Sequence, residues 1–284
     1  MEGATVIKSN GERVAFDADR IRQSVRRAGG TDADADAILS GVQKTLHASS
    51  TTHDVYRTVQ ELLAARSPSL ACRYGLRDAL GKLGPAGFLF EQYLAALLAR
   101  TGYTTELPDE FHGACVQHEV DVVAHKQGKT YAIEAKFRNA MGDMVHLKDV
   151  LASYARYLDL LDGAAQQHCP RFDAFWIVTN GKFSDRAATY GTCKRMPLIG
   201  WSFPTRTTGL ASMIDRTGLY PVTVLNISKA ELSSFADAGL LLCDDLTKHE
   251  AADISHRVGI SQSRAMELIE LAGAVCDVNT SLSR

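Results

Sequence analysis

The stretch His118-Glu119-Val120-Asp121-Val122-Val123-Ala124-His125-Lys126-Gln127-Gly128-Lys129-Thr130-Tyr131-Ala132-Ile133-Glu134-Ala135-Lys136-Phe137 decides the fold. It reads as two strands, over 119–125 and 130–137, joined by a turn at Gln127-Gly128. Side chains alternate faces along a strand, so Glu134 and Lys136 project from one side while Ala135 points away. Asp121 sits on the preceding strand, which brings two carboxylates and an ammonium group towards one place. Two carboxylates can hold Mg²⁺ (or Mn²⁺) through oxygen ligands and leave room for a water and a phosphate oxygen, while the ammonium positions or deprotonates the attacking water. That layout suits phosphodiester hydrolysis, with Lys136 stabilising the charge that develops in the transition state. Charged residues are disfavoured in a strand this apolar, so the Glu134/Lys136 pair calls for an explanation. Function is one. A solvent-facing side of an antiparallel strand is the other, and Glu-x-Lys alone is a common pattern.

Outward from this stretch, 88–100 has an amphipathic helical pattern ended by Gly102. A long helix is expected over 143–161, a buried strand over 174–179 and a short apolar run at 197–201. The order αβββαβ implies an α+β domain with a mixed sheet flanked by helices, over 84–225. The breakers between Gly81 and Gly87 mark its start. Before it, Thr5-Val6-Ile7-Lys8 and Arg13-Val14-Ala15-Phe16 flank Ser9-Asn10-Gly11-Glu12, a short hairpin. Asp17 can cap a helix over 18–28, and helical spacing continues over 52–65 and 69–80, giving a hairpin-plus-helices domain over 1–83. After it, 226–284 reads as helical, with Ser228 as an N-cap and breaks at Gly239 and Gly259.

A chain of 284 residues with 45% hydrophobic residues can bury full cores and favours two or more domains. The absence of a long uncharged apolar run and of a basic-then-apolar start points to a cytoplasmic protein without a membrane partner. Six cysteines without a C-x-x-C pair suggest neither a zinc ribbon nor a disulfide framework. His112 and His118 lack an i,i+4 histidine or a cysteine partner, which argues against zinc. The net charge of -2 offers no general attraction to DNA, so a nucleic-acid surface must be a local patch. Arg138, Asn139, His146 and Lys148 are candidates for contacts to a DNA backbone.

Several strings in the middle of the chain resemble the Mrr-type restriction endonucleases of the PD-(D/E)XK superfamily. These are Gly87-Phe88-Leu89-Phe90-Glu91, Gly102-Tyr103, His118 to Val123, Ile133-Glu134-Ala135-Lys136, and Trp176-Ile177-Val178-Thr179-Asn180-Gly181-Lys182-Phe183-Ser184. The resemblance implies a restriction-endonuclease-like core. It makes Glu91 the helix carboxylate that approaches the metal, Asp121 and Glu134 the metal ligands, and Lys136 the catalytic base or charge stabiliser. This chain has Glu119 and Val120 where the family often has glycines, and Glu134 where it often has glutamine. The first 80 residues resemble the ATP-cone, a nucleotide-sensing module of ribonucleotide reductases and their repressor. That resemblance puts Lys8 and Arg20 at phosphate-facing positions and Thr52 and Tyr56 beside an ATP or dATP effector, bound but not hydrolysed. Basic donors suit a triphosphate; solvated charges on a dimerisation module are the plainer reading.

The run Val258-Gly259-Ile260-Ser261-Gln262-Ser263-Arg264-Ala265-Met266-Glu267-Leu268-Ile269 resembles the helix-hairpin-helix domains of recombinases and repair proteins, where a turn and a helix N-terminus meet a phosphate. A helical packing or partner-binding module is the equal alternative. The sequence thus points to a homo-oligomeric, Mg²⁺-dependent DNA endonuclease biased by a nucleotide. The rival is a non-catalytic, nucleotide-responsive DNA-binding regulator.

Overall fold

A computed structural model describes residues 4–8, 10–84, 88–108, 110–139 and 142–277. Two compact units divide the chain: Met1–Leu76 with Val224–Arg284, and Arg77–Thr223. The three sequence segments thus become two bodies, because the last helical stretch packs with the first.

The first unit opens with strands β1 (Thr5–Ile7) and β2 (Arg13–Ala15), antiparallel with Val6 opposite Val14. Gly11, at φ +82°, supplies the left-handed residue of the turn. Ser9, part of the expected turn, lies outside the described residues. Helix α1 (Ala18–Arg27) starts where the Asp17 carboxylate accepts from the backbone N–H of Asp19 and Arg20. Helix α2 (Asp32–Thr45) was not expected from the sequence. Its start is a capping box in which Thr31 and Asp34 satisfy each other's backbone N–H. The same device, Thr51 with Asp54, starts α3 (Thr52–Arg66). Where one helix was expected over 69–80, α4 (Pro68–Tyr74) and α5 (Leu76–Gly81) are separate; α5 carries the chain from one unit into the next.

The second unit begins at Arg77, within α5. Of the expected boundary, Pro85, Ala86 and Gly87 lie outside the described residues. Helix α6 (Phe88–Arg100) leads to β3 (Thr104–Glu106), then to the small antiparallel hairpin β4 (Glu110–His112) and β5 (Gln117–Glu119). Strands β6 (Val122–Lys126) and β7 (Lys129–Ala135) follow, joined at Gln127-Gly128, both with positive φ. After β8 (Met144–Val145) come α7 (Leu147–Ala165), β9 (Ala174–Val178), β10 (Lys182–Phe183), α8 (Asp185–Cys193), β11 (Leu198–Ile199) and α9 (Leu210–Thr217). The main sheet has the order β11-β9-β7-β6-β3. Strands β3, β6 and β7 run antiparallel to their neighbours, while β7, β9 and β11 are parallel. This is the αβββαβ order with a mixed sheet that the sequence implies.

One face of the sheet carries Val123, Ala132, Phe175 and Ile177, packed with Val150 and Leu160 of α7 and Ala187 of α8. Burial of this apolar set supplies the main driving force for the layer. At the far end of α7, the Asp159 carboxylate accepts from the backbone N–H of Cys115 (2.9 Å) and Val116 (3.3 Å) and bonds His118 Nε2 at 2.8 Å. It thereby pins the β4–β5 hairpin to the helix. His118 is therefore a hydrogen-bonded histidine, as the lack of a metal partner implied.

Desolvation acts to raise the Asp159 pKa, but the Cys115 thiol, His118 and the two N–H donors together outweigh it and hold the carboxyl down at about 2. A depressed carboxylate pKa adds stability that is present above the unfolded value near 3.8 and is lost as pH falls towards 2. Circular dichroism should therefore show wild type losing stability between about pH 4 and pH 2. Asp159→Asn should be less stable at pH 7 and lack this component of the acid loss.

Returning to the first unit, the chain forms α10 (Lys229–Asp237), α11 (Cys243–Leu246), α12 (Ala251–Val258) and α13 (Gln262–Cys276). Ser228 caps α10 as expected, in a capping box with Glu231. Helix α13 lies against α4. Buried Arg73 of α4 donates to Ala28 O (2.6 Å), Ala274 O (3.1 Å) and Val275 O (3.3 Å), so one guanidinium ties α1 to the last carbonyls of α13. All six cysteines are free thiols. Cys72, Cys243 and Cys276, far apart in sequence, are close enough here that burial, and then the neighbouring thiols, push the Cys243 pKa well up.

Candidate active site in the second unit

The antiparallel register pairs Val122 with Ile133 and Val123 with Ala132. Continued by one residue, it sets Asp121 opposite Glu134, on the face that α7 covers. Like charges directly opposite each other on neighbouring strands destabilise a sheet, so the pairing runs against stability. The Asp121 carboxylate accepts from the Ala135 N–H at 2.6 Å, between Glu134 and Lys136. Lys136 lies one residue beyond β7, where its backbone N–H donates to Val178 O at 2.7 Å. The strand is shorter than expected, yet Glu134 and Lys136 still meet on one side as an ion pair.

Glu134 is 3% exposed, so the solvent-facing alternative does not describe this strand. A buried carboxylate needs partners. Glu134 has two: Lys136 at one oxygen and Arg156 of α7 at the other. Arg156 also donates to Glu119 O at 3.1 Å. The sequence reading missed Arg156; its only signal is a charge in an otherwise apolar helical run, Tyr154-Ala155-Arg156-Tyr157-Leu158.

Glu91, on α6, completes the group. Burial raises its pKa, with further contributions from the charges of Glu119 and Glu134. Asp121 is pushed up to about 7, first by burial, then by Glu134 and Glu91, against the opposing pull of the Ala135 N–H and Lys136. All four sequence-chosen residues, Glu91, Asp121, Glu134 and Lys136, therefore share one electrostatic neighbourhood, with Glu119 as an additional carboxylate. Neither Glu91 nor Glu119 has an ion pair among the described residues.

These oxygen donors are of the type a hard divalent cation takes. Among the described residues, however, no group of three or more Asp, Glu, His or Cys is gathered tightly enough to hold a metal ion. Glu134 is already held by two cations, which leaves Asp121 and Glu91 as the carboxylates with free capacity.

In the first unit, the bridge between Ile7 and Thr51 sets Lys8 beside Thr52. Tyr56 lies one turn further along the same face of α3 and stacks on Tyr74 at 5.4 Å. Lys8 pairs with Glu12 (2.9 Å), and Arg20 pairs with Asp17 (3.3 Å). None of these four lines the nearby cavity of about 340 Å³, whose polar walls are His47, Ser50, Asp54, Arg57 and Thr58. Near the expected helix-hairpin-helix turn, Arg264 bonds Glu231 (3.2 Å) and Glu267 (2.9 Å), while Arg257 bonds Ala238 O (2.6 Å).

Residues 4–77 match the ATP cone domain, and residues 220–276 match the domain described as AF1548-like, C-terminal. An uncharacterised protein of Archaeoglobus fulgidus is 36% identical over 182 residues, covering 64% of this chain and 99% of the relative. The chain belongs to the AF1548-like family. A solved structure of this family, the crystal structure of the protein of unknown function AF1548, aligns with a TM-score of 0.57 at 34% identity, over 66% of this chain and 97% of that one. The AF1548-like likeness leaves about a third of this chain outside it. No helix among the described residues is long and apolar enough to cross a membrane.

Proposed function

We propose that this AF1548-like protein is a metal-dependent DNA endonuclease of the PD-(D/E)XK kind, with an N-terminal cone that lets ATP or dATP bias its activity. The observation that carries the reading is the convergence of Asp121, Glu134 and Lys136 at the adjoining ends of β6 and β7, with Asp121 bonded to the N–H between the other two. Asp121 and Glu134 would hold Mg²⁺ or Mn²⁺, with Glu91 approaching from α6. The ion would supply Lewis-acid polarisation of the scissile phosphate and a more acidic water. Lys136 orients the attacking water and stabilises charge developing on the phosphate, in a place already fixed by its backbone bond to Val178. Arg156 holds the Glu134 carboxylate in place and, from α7, adds a second positive group facing the reacting phosphate.

Cleavage of an end-labelled duplex under single-turnover conditions tests this assignment. Lys136→Ala should lower the rate by about 10²–10³-fold with little change in DNA affinity, the size seen when one charge-stabilising donor is removed. A full wild-type rate in Lys136→Ala would remove Lys136 from the chemistry.

One observation favours the second reading, a non-catalytic nucleotide-responsive DNA-binding regulator: both Glu134 oxygens are engaged by Lys136 and Arg156. In that case these contacts form a structural ion-pair network, and metal should not bind. The cone supports a nucleotide effector in either reading. A homo-oligomer, its assembly biased by nucleotide, is part of the proposal and is read by sedimentation with and without ATP or dATP.

A further inference from the structure

Just beyond the ends of the parallel strands β7 and β9 lies a cleft of about 330 Å³. Arg77, Lys82 and Arg138 line it, with Asp78 as the single acidic residue among its walls. Its floor is rigid. Asn180 and the Arg138 backbone exchange two hydrogen bonds, 2.7 Å and 2.9 Å, and the Gly181 N–H donates to Thr179 Oγ1 at 3.0 Å. A Cβ at Gly181 would come within 2.8 Å of Asp143 O and 3.0 Å of Arg138 Cγ, so only glycine lets these walls approach.

The cations here are not used up by the fold. Arg77 has no hydrogen bond or ion pair among the described residues, and its guanidinium lies 5.6 Å from the centre of the Trp201 ring. Stacking of this kind supports the planar group from behind and leaves its N–H edge for a ligand. Burial pulls the Arg77 pKa down, which is the mark of a cation short of a counter-charge. Lys82 is exposed and likewise has no ion pair among the described residues. Arg138 is the one that is shared, with Asp149 at 3.0 Å. A half-buried guanidinium, a lysine and a rigid amide-lined floor suit a phosphate group, which takes bidentate donors from arginine and a point charge from lysine.

We propose that this cleft binds a backbone phosphate of the nucleic-acid strand next to the one that is cut. The inference rests on the nuclease reading for its placement. Arg138 is two residues beyond Lys136, at most about 7 Å along the chain. That distance corresponds to one or two nucleotides along a strand. The cleft therefore sets where along the strand cutting occurs, and contributes affinity without base selectivity.

Fluorescence anisotropy with a labelled duplex in EDTA, over a salt series, tests the proposal without requiring cleavage. The double variant Arg77→Gln/Lys82→Gln should bind about ten-fold more weakly near 0.1 M salt, and the slope of log K against log salt should shrink by about 2, one unit per lost phosphate contact. Lys82→Glu, an exposed change that leaves the Arg77–Trp201 stack alone, should weaken binding in the same direction. Unchanged affinity and slope in both variants would overturn the proposal. So would wild type binding inorganic phosphate or a mononucleotide in this cleft with no effect of either variant on DNA, which would make it a small-anion site. Cleavage is read separately on the same samples. Wild type that loses DNA affinity with these variants yet never cuts would uphold the cleft and reject the nuclease.

Discussion

Replacing Asp121 with asparagine is expected to abolish metal-dependent DNA cleavage, by at least about 10³-fold, while making the metal-free protein more stable above neutral pH. The two effects have one cause. The Asp121 carboxyl is held opposite Glu134 in a largely desolvated place, and its pKa lies near 7 rather than 3.8. A carboxyl raised in the folded state favours the protonated form. That contribution is complete below the unfolded pKa near 3.8 and is lost as pH rises through about 7. At pH 8 wild type thus carries a charge that the fold opposes and asparagine does not. The variant should gain on the order of 1–2 kcal/mol after allowance for partial solvent access. At pH 4 the difference should nearly vanish. Mg²⁺ should raise the melting temperature of wild type but not of Asp121→Asn, since only a site with the carboxylate gains from binding to the folded state. Thermal unfolding at the two pH values, with and without Mg²⁺, checks all three statements. A variant less stable than wild type at pH 8 would mean that Asp121 is a structural group.

The second large effect concerns the other unit. Arg73→Ala should destabilise it by about 3 kcal/mol, because three backbone carbonyls lose a charged donor and a space opens beneath Gly29. Those carbonyls belong to Ala28, Ala274 and Val275. Gly29, at φ +92°, comes so close to Arg73 that a Cβ there would lie 3.3 Å from the guanidinium. The same side chain thus joins the cone-matching segment to the AF1548-like C-terminal segment. Unfolding followed by hydrogen exchange should show the α13 amides losing protection together with those of α1. If α13 kept its protection, the two segments would be energetically separate.

The Asp121, Glu134 and Lys136 constellation was legible because it is local: a strand, a two-residue turn and a second strand fix the register, and the period of two fixes the face. Strand ends were less legible. Lys136 falls past the end of β7, and the run expected as one strand over 119–125 is split at Val120-Asp121, freeing Asp121 from the ladder to take the Ala135 N–H. Helix α2 went unseen since its start, Thr31-Asp32-Ala33-Asp34, is rich in acids that read as solvated until the capping box is recognised. Arg156, Arg77 and Arg73 could not be read at all. Each acts on groups between 22 and 202 residues away or, for Arg77, on the ring of Trp201, and no local pattern encodes such meetings. The gathering of Cys72, Cys243 and Cys276 is of the same kind.

The most direct test of the central claim is cleavage of supercoiled plasmid by wild type and by Asp121→Ala, in Mg²⁺ or EDTA, each with and without ATP and dATP. The account predicts cutting that requires the metal, disappears in the variant and changes in extent with nucleotide. DNA bound but left uncut by wild type under every condition would contradict it and leave the nucleotide-responsive regulator in its place.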